Sequence, residues 1–165
     1  MGFPRWTGWL VPALIAGCAQ PSPQPADTSA DVAAINAVRD HEAALAGLGN
    51  ADSMMAVYSA DVVMMPPGEP IVEGIEAAKR WAEATFAGAS LTVNYISSQV
   101  TVSGDWAVDR YTGSLTITPK AGAAAMNEEI KGVHIMRKEA DGSWKIAIDV
   151  WNPNTPPAPP AGAKP

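Results

Sequence analysis

Residues 90–151, SLTVNYISSQVTVSGDWAVDRYTGSLTITPKAGAAAMNEEIKGVHIMRKEADGSWKIAIDVW, decide the fold. β-Branched and aromatic residues alternate with polar ones in four runs: Leu91 to Ser103, Trp106 to Thr118, Glu128 to Lys138 and Trp144 to Trp151. The breaks between them are Gly104-Asp105, a Gly/Ala-rich loop and Asp141-Gly142, so each run folds back antiparallel on the one before it. Strands of this length twist and cannot lie flat, which predicts a curved sheet wrapped around a second layer.

That layer lies upstream. Asp31 to Leu48 is alanine-rich with an apolar stripe at Ala34, Ile35, Val38, Leu45 and Leu48; Thr28 or Ser29 supplies a cap, and Gly49-Asn50 ends the helix. Asp52 is placed to cap a short second helix running through Val57. Asp61 to Met65 then reads as a brief strand stopped by Pro66-Pro67-Gly68. Ile75 to Phe86 reads as a third helix with Ile75, Ala78, Ala82 and Phe86 on one side and Glu76 and Arg80 spaced for an ion pair. Helices followed by a strand meander predict an α+β fold, a cone-shaped open barrel with its N-terminal helices packed on a curved antiparallel sheet.

The ends are of another kind. The first residues carry one cation, Arg5, and then the apolar run Trp9 to Gly17, too short to span a bilayer. Ile15-Ala16-Gly17-Cys18 looks like the lipobox of bacterial lipoproteins, which implies cleavage of residues 1–17 and acylation of Cys18. Ala19 follows the cysteine where an aspartate would be the usual signal for inner-membrane retention. The resemblance thus implies an exported, membrane-anchored protein, on the periplasmic side of the outer membrane in a Gram-negative cell. Residues 18–30, rich in Pro, Ser and Gln, read as the lipidated cysteine and a flexible linker, 31–152 as the folded domain, and 153–165 as a Pro-rich disordered tail.

Composition narrows the function. The formal charge is -6, and a net-acidic surface repels phosphate backbones, so no nucleic-acid partner is expected. A single cysteine allows no intramolecular disulfide, and with only His41 and His134 beside it a structural zinc site lacks ligands. No phosphate loop, nucleophile elbow or dinucleotide fingerprint is present, so no cofactor is expected.

Three stretches carry a resemblance. They are Tyr58-Ser-Ala-Asp61-Val-Val-Met-Met-Pro66-Pro67-Gly68 with Glu73-Gly74-Ile75, then Gly104-Asp105-Trp106-Ala107, and Asp141-Gly142-Ser143-Trp144-Lys145-Ile146 through Asp149-Val150-Trp151-Asn152. In order and spacing they resemble the SnoaL-like, ketosteroid-isomerase-like superfamily, also named for nuclear transport factor 2, and most of all a branch known only as a domain of unknown function. The resemblance implies a cystatin-like cone with a pocket between helices and sheet, and a homodimer. Catalytic members carry a base near the end of the first strand; the matching stretch here, Met64-Met65-Pro66-Pro67, has no carboxylate, so isomerase activity is not carried over.

Several side chains remain as site candidates. On the first helix His41 and Glu42 interrupt the apolar stripe between Val38 and Leu45; either one of them faces the pocket or both lie at its edge in water. A turn at Ala140-Asp141-Gly142 that pairs Lys138 with Ser143 puts Val133, Ile135, Trp144, Ile146, Ile148 and Val150 on one apolar face. His134, Met136, Ala147, Asp149 and Trp151 then share the other. An acid beside an imidazole and an aromatic is the composition of a pocket wall: if this face is the concave one, Asp149 is the candidate base, with His134, Tyr111 or Tyr58 as hydrogen-bond donor to an oxyanion, and if the apolar face is concave, His134 and Asp149 are surface residues. Met64 and Met65 either line the pocket or fill the core. Trp144 and Trp106 are expected to pack into the sheet, Asp61 to end a turn, and Asp109 to sit on the solvent face. The expected function is binding of a small apolar ligand, with isomerase- or cyclase-like acid–base chemistry if the protein is an enzyme, the alternative being a non-catalytic dimerisation or interaction module.

Overall fold

Alternation in the C-terminal half produces four long strands, β3 (Ala89–Ser103), β4 (Trp106–Pro119), β5 (Met126–Lys138) and β6 (Trp144–Pro153). Before them come α1 (Ser29–Leu48), α2 (Ala51–Met54) with a 3-10 turn at Met55–Val57, β1 (Tyr58–Met65), β2 (Val72–Glu73) and α3 (Ile75–Gly88). The structure is a computed structural model and describes residues 27–155 together with Gly2. The remainder of the signal segment, Cys18, most of the linker and the tail from residue 156 lie outside the described residues.

The sheet runs β2-β1-β6-β5-β4-β3, and the three helices pack on its concave side. The four long strands are antiparallel, as their turns require, but β1 lies parallel to β6, so the sheet is mixed and not wholly antiparallel. The reason is connectivity: α3 carries the chain from β1 to the far edge at β3, and the three reversals that follow return β6 beside β1 in the same direction.

Two bulges set what faces inward. In β3 the register shifts at Ile96, which is pushed out to 71% exposure; Leu91, Val93 and Tyr95 point inward before it and Ser98, Val100 and Val102 after it. In β6 the shift falls at Ala147. The β5–β6 turn pairs Lys138 with Trp144, not with Ser143, so Trp144 and Ile146 lie with Met136 in the core and not with Val133 and Ile135 on the outer face. Beyond the bulge His134 stands directly opposite Asp149.

Local signals differ from expectation at several ends. α1 starts at Ser29, whose amide donates to Asp27 Oδ1 at 3.0 Å, while the Thr28 side chain makes no cap. α2 is capped by Asn50, which accepts from Ser53 N at 2.9 Å, and not by Asp52, which pairs with Lys79. Among the described residues Glu76 and Arg80 form no ion pair; Lys79 and Glu83 do. β1 begins at Tyr58, so Asp61 lies within the strand and binds Arg137 at 2.6 and 2.9 Å. Trp144 is core, donating to Asp31 at 2.9 Å beside Lys138 at 2.7 Å, whereas Trp106 is exposed beneath Arg137.

The bend at Ile96 needs close strand approach: a Cβ on Gly113 would sit 2.6 Å from the Asn94 carbonyl oxygen. Gly113→Ala should lower stability in urea by about 1–3 kcal/mol through overpacking. Gly47→Ala, exposed on α1 with nothing within 4 Å of the added carbon, should raise it by about 0.5–1 kcal/mol. Equal effects at the two positions would show that the β3–β4 approach constrains nothing.

Candidate functional site

Between the helices and the concave sheet lies a cavity of about 610 Å³. Alternation aims side chains into it from each strand: Leu91, Val93 and Tyr95 from β3, Tyr111, Leu115 and Ile117 from β4, Glu128 and Ile130 from β5, and Asp149 and Trp151 from β6. Met54, Ala82 and Phe86 close the wall on the helical side, Met64 joins them from β1, and Trp81 meets Trp151 edge to face with centroids 5.8 Å apart. The exposed Pro67, Gly68 and Thr155 mark the mouth; Glu42, Tyr58, Tyr111 and Asp149, all under a tenth exposed, form the inner end.

The inner end is polar in an otherwise apolar cavity. Tyr58 donates to Asp149 Oδ2 at 3.1 Å and lies 3.4 Å from Glu42 Oε1, while Tyr95 donates to Glu42 Oε2 at 2.6 Å. The Tyr111 hydroxyl has no hydrogen-bond partner among the described side chains. Its ring stacks against His134 at 4.6 Å and lies across Gly132, where a Cβ would come within 2.4 Å of it. Glycine is therefore required opposite Tyr111 for the ring to occupy this place.

Behind the inner end a buried charge cluster holds these groups. His134, 1% exposed, turns Nε2 to Asp149 Oδ1 at 3.4 Å and Nδ1 to Asp109 Oδ2 at 3.7 Å, charge contacts longer than hydrogen bonds. Asp109, fully buried, also accepts from Ser98 at 2.5 Å and meets Arg39 at 3.3 Å. Burial opposes the charge on His134, but Asp149 and Asp109 more than offset it and push the imidazole up to about 10. Burial would raise Asp109 too, yet His134, Ser98 and Arg39 bring it below the usual carboxylate range. Glu42 is raised by burial and then by the charge of Asp149, and the three phenols are raised chiefly by burial, so they remain donors.

The sequence candidates divide accordingly. Asp149, Glu42, Tyr58, Tyr111, Met64 and Trp151 line the cavity, while His134 lies one layer behind it and touches it only through Asp149. His41 is exposed, about 100° around α1 from the buried Glu42, and Met65, next to Met64 in a strand, points outward at 37% exposure. Asp109 is in the buried cluster and not on the solvent face, because β4 turns every odd residue from Ala107 inward. Arg39 and Tyr95 were not singled out by the sequence. Their signals were present: Tyr95 continues the Leu91-Val93 alternation, and Arg39 and Glu42 continue the α1 stripe from Ile35 at helical spacing. Among the described residues no three His, Cys, Asp or Glu side chains are grouped to hold a metal ion.

No curated protein matches the chain. Among solved structures it is similar to a ketosteroid isomerase-like protein from Erwinia carotovora atroseptica (24% identity, TM-score 0.68, covering 76% of this chain and 98% of the other). A nuclear transport factor 2-like superfamily protein from Salmonella enterica serovar Typhimurium follows at 12% identity and TM-score 0.72, covering 82% and 99%. A candidate scytalone dehydratase from Novosphingobium aromaticivorans gives 12% identity and TM-score 0.71, covering 78% and 87%. At these identities the likeness is one of fold. The family model of the SnoaL-like domain matches residues 28–147, and the cone with its mixed open sheet and internal cavity has the fold of these structures; the chain belongs to the SnoaL-like domain family.

Proposed function

We propose that the cavity binds a small, mostly apolar molecule with its polar head at the inner end, and turns it over by acid–base chemistry without a cofactor. The observation that carries this reading is the pair of carboxyl groups, Glu42 and Asp149, that share the Tyr58 hydroxyl where the apolar walls end. Asp149 takes the part of base: it removes a proton from carbon beside a carbonyl, and the electron pair of that C–H bond moves to the carbonyl oxygen. The free Tyr111 hydroxyl donates to the resulting oxyanion. His134 does not reach the ligand; it is a positioning residue that fixes the Asp149 carboxylate.

A second reading rests on the outer sheet face. There Val63, Val108, Val133, Ile135, Ile148 and Val150 are register neighbours across β1, β6, β5 and β4. A second copy seated on this patch would make the chain a non-catalytic dimerisation module of the same fold. The two readings differ in where substitutions act. Under the first, a thermal-shift screen of steroids, aromatic polyketide-like ketones and lipids yields a saturable ligand, stabilising by about 2.7 kcal/mol at a hundredfold excess over Kd. Asp149→Asn then abolishes turnover and Tyr111→Phe lowers kcat by about 10²–10³. A silent screen, with Ile135→Lys splitting a dimer, would favour the second.

His134 also gives a pH signature. Its value rises from 6.5 to about 10 on folding, so its contribution to stability is complete below about pH 6.5 and is lost as pH climbs through about 10. Melting temperature should fall across this window and fall less in Asp149→Asn; an equal slope in both would remove Asp149 as the partner of the charged imidazole.

The location is likewise proposed: export, and anchoring to a membrane through acylated Cys18. Support comes from the short apolar run Trp9 to Gly17 and the lipobox-like Ile15 to Cys18. No described helix is long and apolar enough to cross a membrane. Radiolabelled palmitate should enter the wild-type chain in a bacterial host and not Cys18→Ser; equal labelling would refute anchoring at Cys18.

A further inference from the structure

The ionisable carboxyls and amines around the cavity are of one sign. Glu42 and Asp149 close its inner end, Glu69 and Glu128 stand farther out, and among the described residues no lysine, arginine or histidine lines it. Arg39 and His134 lie behind the inner carboxylates and turn their charge to Asp109 and Asp149, and Lys120 is held outside the wall by the Phe86 carbonyl at 2.6 Å. A ligand ending in carboxylate or phosphate would find only repulsion along the walls.

Glu128 is the informative member. It pairs in register with Leu115, faces inward with Ile130 on β5, and is half-buried. It takes part in none of the ion pairs or side-chain hydrogen bonds among the described residues. Glu69, by contrast, is occupied by Trp81 Nε1 at 2.7 Å. A carboxylate held among Leu115, Ile117 and Ile130 is costly without a counter-charge. Along β4 it stands four residues, about 13 Å, from the level of Tyr111 and Gly132. That separation gives a length to whatever spans the inner end and Glu128.

Building on the cavity as a ligand site, we propose that it selects an elongated apolar molecule carrying an ammonium group, seated with that cation against Glu128 and its body along Leu115, Ile117 and Ile130. Glu128 is thus a specificity residue for the sign of the ligand, separate from the acid–base groups at the inner end.

The test is calorimetric titration of the full chain with three molecules of one skeleton: phenylbutylamine, phenylbutanol and phenylbutyrate. The amine should bind about tenfold tighter than the alcohol at low salt, with the acid weakest. Glu128→Gln should bring amine and alcohol to within about twofold while leaving the alcohol unchanged, and salt should reduce the wild-type preference. Binding of phenylbutyrate as tight as the amine, or an amine preference that survives Glu128→Gln, overturns the proposal. If the alcohol binds and the amine gains nothing, this inference falls and the ligand-site reading stands; if none of the three binds, both fall.

Discussion

Burying His134 with a carboxylate at each nitrogen is the constraint from which the inner geometry follows, because charge withdrawn from water is tolerated only where opposite charge is fixed close by. Asp109 comes from the neighbouring strand and Asp149 from the strand on the other side, each directly opposite His134 in register. Arg39 on α1 then balances Asp109 and ties the helix to the sheet. Loss of one member of such a group typically costs about 3–5 kcal/mol, since its partner stays buried without compensation. The cluster therefore specifies which helix face meets which strands, and the cavity in front of it inherits that alignment.

The long strands, the helical stripe of α3 and the stop at Pro66 were legible because each is a repeat of local preferences. What was not legible is the sign of each face beyond a bulge. A turn one residue too short puts Trp144 and Ile146 on the face of Val133 and Ile135, yet the same register puts Asp149 and Trp151 on the face of His134, where they lie. The extra residue at Ala147 explains both: it reverses the alternation halfway along β6. Asp109 was misplaced for a different reason. A lone acid in a strand reads as solvent-facing until its partners are known, and Arg39 and His134 lie 70 and 25 residues away in the chain. Buried charge is a property of the assembled group, and no single position announces it.

Solved structures of similar fold carry names that point to different roles, so the fold by itself assigns no chemistry. The features that distinguish this chain are side chains on a common frame. Met64 and Met65 occupy the strand end where catalytic relatives are expected to carry a base, and the carboxyls come instead from α1 and β6.

The clamp of Asp31 on Lys138 and Trp144 fixes the first turn of α1 at the β5–β6 hairpin. Glu128 and the cavity mouth lie at the other end of β5, ten residues or about 33 Å away along the strand. The chain thus joins the cone at its closed tip. The cavity mouth is thereby left clear of the first turn of α1, so that the entry of a solute and the attachment of whatever precedes the helix make no demand on the same surface.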